Sequence, residues 1–201
     1  MKLAKFISYF FHPINFSIIG AVLFFLFVPK FIFKPQEYTI LVVIFIGSYL
    51  FPIILLMLLK QFRMIDSFHM STIEERKFPT LLFISISYIL GNWLFKSTIV
   101  DILALSFFGY GLGLIFSYVL FYFKLKISLH MAAIGGLIGF LICFSHYYTI
   151  NIIFLLAVLF MLSGVIASSR LLLKAHNIKE IVLGYVLGIA TQFTVYWIYI
   201  M

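Results

Sequence analysis

The sequence predicts an all-α fold: a polytopic integral membrane bundle of six to seven transmembrane helices. Three observations carry this. The chain of 201 residues is 65% hydrophobic and only 10% charged, whereas a water-soluble domain holds about 45–50% apolar and about 25% charged residues. Its apolar residues fall in runs of about the 20 residues that a helix needs to cross a hydrocarbon core. In lipid every backbone N–H and C=O must pair within its own segment, so runs of this length specify helices.

The runs lie near residues 14–33, 38–59, 79–96, 99–123, 130–147, 150–168 and 179–200. If the first lies partly in the interface, six crossings remain. No A-x-A-like cleavage site follows it, so it reads as a retained span and not a removed signal peptide. Pro79 suits the first position of the third helix, where its missing N–H costs nothing. That helix ends at Lys96, whose aliphatic stem can reach back to the interface. Only "KSTIV" joins the third and fourth spans, which predicts a tight hairpin. With no linker and no low-complexity tract, residues 1–201 form a single transmembrane domain, with a functional core over about 60–190. Glycines paired four apart (Gly109 and Gly113, Gly135 and Gly139, Gly184 and Gly188) predict close helix packing.

A net charge of +8 would suggest nucleic acid in a soluble protein. Here the cations sit in short loops beside apolar spans, which anionic lipid head groups, membrane topology or a phosphate ligand explain better, so no nucleic-acid partner is expected. Cys143 is the one cysteine, lies in an apolar run, and reads as a small buried hydrophobe. With seven spans, the N-terminus and the loops after spans two, four and six share a face. That face carries Lys2, Lys5, Lys60, Arg63, Arg76, Lys77, Lys124, Lys126, Arg170, Lys174 and Lys179, against Lys30, Lys34 and Lys96 opposite. His12, His69, His130 and His176 share it as well; His146 does not.

Polar chemistry on this face comes from three stretches. The first, "KQFRMIDSFHMSTIEERKFPT" at 60–80, places Arg76 and Lys77 where the membrane begins. In the second, "KLKISLHMAAIGG" at 124–136, Ser128 is placed to cap the fifth span, with His130 in its first turn. Free N–H groups and the positive end of the helix dipole favour an anion there. The third is "SSRLLLKAHNIKE" at 168–180, in which Ser169, Arg170, His176 and Glu180 follow the spacing S-R-x5-H-x3-E. His176 and Glu180, four apart, share a helix face. A carboxylate on one ring nitrogen fixes the tautomer and presents the other as a base or nucleophile. The planar fork of Arg170 suits phosphate oxygens.

Together the three stretches resemble the type 2 phosphatidic acid phosphatase family, whose pattern is K-x6-R-P, then P-S-G-H, then S-R-x5-H-x3-D. "SRLLLKAHNIKE" keeps Ser, Arg and His in register, and "IVLGYVLG" resembles the glycine-spaced helix that follows the motif. The second motif stands as "SLH", with Leu129 in place of glycine and Ile127 in place of proline; the first stands as "RKFP", with His69 where the lysine belongs. The resemblance covers about residues 60–190 and points to a short, divergent bacterial branch.

The resemblance implies roles. His176 attacks phosphorus and becomes phosphohistidine. Glu180 orients it in place of the usual aspartate. His130 protonates the leaving oxygen. Arg170, Ser128, Ser169 and Arg76 or Lys77 hold the phosphate oxygens, where charge builds up in the transition state. It implies no metal and no other cofactor. A site flush with the interface implies a phosphate carried on a lipid as substrate: phosphatidic acid, phosphatidylglycerol phosphate, a polyprenyl phosphate or pyrophosphate, or a lipid A phosphate. The expected location is the bacterial inner (plasma) membrane, multi-pass. Charge bias places the basic face in the cytoplasm, whereas bacterial members of the family work on the outer face. Two other readings stand beside the enzyme: a catalytically silent lipid-phosphate binder of the same fold, and a small transporter. Transport predicts ionisable groups along the spans, and apart from Asp101 and Lys96 the spans carry almost none.

Overall fold

The computed structural model describes residues 1–66, 70 and 72–201. His69 lies outside the described residues. Among the described residues there are nine α-helices: α1 Lys2–Phe10, α2 Asn15–Phe27, α3 Lys34–Phe45, α4 Phe51–Gln61, α5 Ile73–Lys96, α6 Asp101–Tyr122, α7 Leu129–Tyr148, α8 Ile153–Leu172 and α9 Ile178–Ile200. Among the described residues, six stretches are long and apolar enough to cross a membrane, and a seventh is gained if α1 and α2 count as one bent span. The protein is a multi-pass helical membrane bundle.

The first span differs most from expectation. α2 has 13 residues and is about 20 Å long, too short to cross a core of about 30 Å. The chain before it, which the sequence leaves unassigned, forms α1, bent from α2 by 59°. The break falls at Phe11–Ile14, where Pro13 has no N–H to continue a helix. α1 lays Ala4 and Ser8 inward and leaves Leu3, Phe6 and Phe10 exposed. It packs along α8.

α3 and α4 form one span of 28 residues, joined through a π-helical turn at Ile46–Leu50. Pro52 explains the turn: its ring displaces the carbonyl four residues back and removes one ladder bond. α5 begins at Ile73, six residues before Pro79, which therefore lies inside the helix and not at its first position. Thr72 sets the start. Its hydroxyl accepts from the Glu75 N–H at 3.3 Å, and the Glu75 carboxylate accepts from the Thr72 N–H at 3.2 Å. This is a capping box, and its T-x-x-E signature is visible in the sequence.

α7 is the most buried helix, and α9 packs directly on it. A Cβ on Gly188 would lie 2.1 Å from the Ala132 carbonyl, and one on Gly184 would lie 2.6 Å from the Ser128 carbonyl. Only hydrogen fits at either place. The contact therefore locks the start of α7 against the first turns of α9, which brings the second and third polar stretches together.

Candidate anion site at the membrane rim

The spacing between Arg170 and His176 has a local cause. Arg170 stands in the last turn of α8. The chain then turns in a Schellman motif: the Ala175 N–H donates to the Arg170 carbonyl at 3.1 Å and the Lys174 N–H to the Leu171 carbonyl at 2.9 Å. Lys174 takes the left-handed conformation this requires, with φ 50°. Asn177 at once caps α9, its side-chain oxygen accepting from the Glu180 N–H at 2.9 Å. An arginine at one helix end, a histidine beside the next helix start and a carboxylate in its first turn are thus held in a short, rigid elbow.

His176 Nδ1 lies 2.6 Å from Glu180 Oε2. A carboxylate accepts, so Nδ1 carries the proton and Nε2 keeps its lone pair when the ring is neutral. The Asn177 amide donates to the other carboxylate oxygen at 3.0 Å. The His176 side chain is 2% exposed. Burial, with Arg76, Arg170 and Lys126 nearby, pushes its pKa down from 6.5 to about 4, against the opposing bond to Glu180. The ring is neutral at pH 7.

Arg76 and Arg170 are 6% and 5% exposed. Arg76 Nε donates to the Met70 carbonyl at 2.7 Å and Nη1 to the Ile127 carbonyl at 3.4 Å. Arg170 Nη1 donates to the Ser8 hydroxyl, and its Nε is buried with no partner. Among the described residues no carboxylate lies within ion-pair distance of either guanidinium. Glu180 and Glu75 act on Arg76 only from beyond contact distance; two buried cations with no anion in contact are costly, and a bound anion is what would offset that cost.

His130 Nε2 lies 3.1 Å from the Ser8 carbonyl and 3.5 Å from its hydroxyl. A carbonyl only accepts, so Nε2 of His130 carries a proton. His130, Arg170, Arg76 and His176 line one cavity of about 190 Å³. The cavity continues past Leu56, Phe83 and Leu90 to Phe107 and Tyr110. Leu90 lies 14 residues beyond Arg76 on α5, or about 21 Å along the helix axis.

The structure does not bring every expected residue here. Lys77 turns outward, pairs with Glu74 at 2.9 Å and lies over the Tyr122 ring. The reason is the earlier start of α5: on a helix, adjacent residues point about 100° apart, so Arg76 facing in sends Lys77 out. Ser169 is also absent from the cavity wall, for its hydroxyl donates to the Ile166 carbonyl within α8 at 2.7 Å. Ser128 does occupy the N-cap position of α7, but its side chain makes no capping bond and is buried without a partner. Its N–H donates to the Glu180 carbonyl at 3.1 Å, a second tie between α7 and α9.

Ser8 carries no signal in the sequence, because α1 is too short to read as a span. Lys126, on the basic face as the sequence predicts, donates to the Ala175 carbonyl at 3.2 Å and so braces the loop that carries His176. Burial and the neighbouring Arg76 and Arg170 hold it below the usual lysine range. On the opposite membrane face, Tyr199 donates to Asp101 at 3.1 Å, and His146 meets the Tyr196 hydroxyl at 2.7 Å.

No family model, no curated protein and no solved structure matches this chain.

Proposed function

We propose that the protein is a membrane-embedded phosphatase that hydrolyses a phosphomonoester or pyrophosphate on a lipid through a phosphohistidine, as the resemblance to the type 2 phosphatidic acid phosphatases implies. One observation carries this reading. The buried Arg76 and Arg170, which no carboxylate among the described residues contacts, share a cavity with a neutral histidine held by a carboxylate.

In the reaction, the Nε2 lone pair of His176 attacks the terminal phosphorus while its bond to the leaving oxygen breaks, that oxygen belonging to the lipid in a monoester and to the inner phosphate in a pyrophosphate. His130 enters this step as the imidazolium: the leaving oxygen takes its Nε2 proton and leaves the ring neutral. Water then attacks the phosphohistidine, giving up a proton to His130 and releasing orthophosphate, and the His176 lone pair is restored. Glu180 steadies the imidazole as it gains positive character, and the two guanidiniums bear the charge on the transferring oxygens. The apolar length of the cavity suits one hydrocarbon chain below the phosphate. The membrane would be the bacterial inner membrane.

The alternative is a silent lipid-phosphate binder, favoured by the present engagement of the His130 proton with Ser8. The purified full-length protein in detergent micelles separates the two, with release of orthophosphate measured from phosphatidic acid, phosphatidylglycerol phosphate and a polyprenyl pyrophosphate. Release by wild type and none by His176→Ala supports the enzyme. No release by wild type from any of them, with orthovanadate still bound, leaves the binder.

A further inference from the structure

We propose that the C-terminal turn of α1 sits in the anion site as an internal competitor, which the phosphate group must displace. The inference rests on the reading of this pocket as a phosphate site. Its starting point is that one residue of α1 engages two of the pocket's donors. Arg170 Nη1 donates to the Ser8 hydroxyl, and His130 Nε2 donates to the Ser8 carbonyl at 3.1 Å. Ser8 is 4% exposed, so these oxygens are inside the site and not at its mouth.

The chemistry of that turn imitates an anion. Ser8 is third from the end of α1, so its carbonyl is among the last four, which have no partner in their own helix. The aligned peptide dipoles place about half a negative charge at that end. α1 therefore presents two acceptor oxygens and a partial negative charge to the Arg170 guanidinium and an imidazole N–H. A phosphate would present the same, more strongly.

The two occupants exclude one another. In the proposed reaction His130 must give its Nε2 proton to the leaving oxygen, and that proton is now donated to Ser8. The fold allows α1 to withdraw. It touches the bundle mainly along α8, its outer face of Leu3, Phe6 and Phe10 is exposed, and it joins α2 through the 59° bend. A pivot at that bend leaves the α7–α9 contact, and hence the elbow bearing His176, undisturbed.

The test uses the full-length protein in detergent micelles, with orthovanadate as the probe, and compares wild type, Ser8→Ala and Ser8→Thr. A hydrogen bond to a charged group is at stake, so Ser8→Ala should bind vanadate roughly ten-fold more tightly. Ser8→Thr, which keeps the hydroxyl, should bind as wild type does. Equal or weaker binding by Ser8→Ala overturns the proposal while leaving the anion site standing. Absence of vanadate binding in wild type and Ser8→Ala alike removes the phosphate reading and this inference with it. Hydrogen exchange on wild type gives a measurement that needs no variant. Saturating vanadate should lower the protection of the α1 amides, and unchanged or increased protection sinks the displacement.

Discussion

His176 precedes the Asn177 cap of α9 and Glu180 lies in its first turn, so the two meet at 2.6 Å across the helix start and not along one helix face as the spacing predicts. The pair is made locally: Asn177 caps the helix and also holds the second carboxylate oxygen at 3.0 Å. Glu180→Gln keeps the shape but removes the charge that fixes the tautomer. Phosphate release should fall by on the order of 10²–10⁴, with vanadate binding nearly unchanged because both guanidiniums remain. A loss of vanadate binding equal to the loss of rate would instead make Glu180 a structural prop.

Arg76 and Lys77 are neighbours with opposite fates, one buried and one paired to Glu74 at the surface. Arg76→Ala should lower phosphate release by roughly 10²–10³, the usual effect of removing one charge-stabilising donor. Lys77→Ala should change it less than about two-fold, as an exposed ion pair contributes little. Initial rates on one lipid phosphate suffice, and equal losses in the two variants would contradict the inward turn of Arg76.

The titration of His176 gives a signed pH dependence. Its pKa falls from 6.5 to about 4 on folding. Between these values the unfolded chain binds more protons than the folded one, so stability rises with pH across that window. The contribution is fully present above pH 6.5 and is lost as pH falls toward 4. Melting temperature in detergent should therefore drop from pH 7 to pH 4 in wild type, with a smaller drop in His176→Asn. Identical slopes would show that His176 is not the titrating group. The same loss of the lone pair predicts an acid limb in kcat/KM.

The glycines of α8 and α9 should behave in opposite ways. Gly188→Ala drives a methyl into the Ala132 carbonyl, 2.1 Å from the ideal Cβ, and should cost about 1–3 kcal/mol as an overpacked contact. Gly164 on α8 has nothing within 4 Å of its Cβ position. Gly164→Ala should therefore gain up to about 1 kcal/mol from helix propensity. Thermal unfolding in one detergent measures both, and a stable Gly188→Ala would mean that α7 and α9 are not so close.

The sequence by itself determined that the chain is a membrane helical bundle, because composition and run length leave no other way to satisfy the backbone in lipid. The S-R-x5-H-x3-E spacing pairs His176 with Glu180, but the turn after Arg170 and the Asn177 cap that hold the pair come from the structure. The start of α5 was legible in the Thr72–Glu75 box, and missing it misplaced Pro79 and left Lys77 level with Arg76. What only the tertiary structure decided is which remote groups meet. Ser8 is 122 residues from His130 and 162 from Arg170. No periodicity connects them, because α1 is too short to read as a span and finds its place only by packing on α8. Local hydrogen bonds write themselves into spacing. A contact between distant helices depends on how whole surfaces fit, and one chain read alone carries no record of that fit.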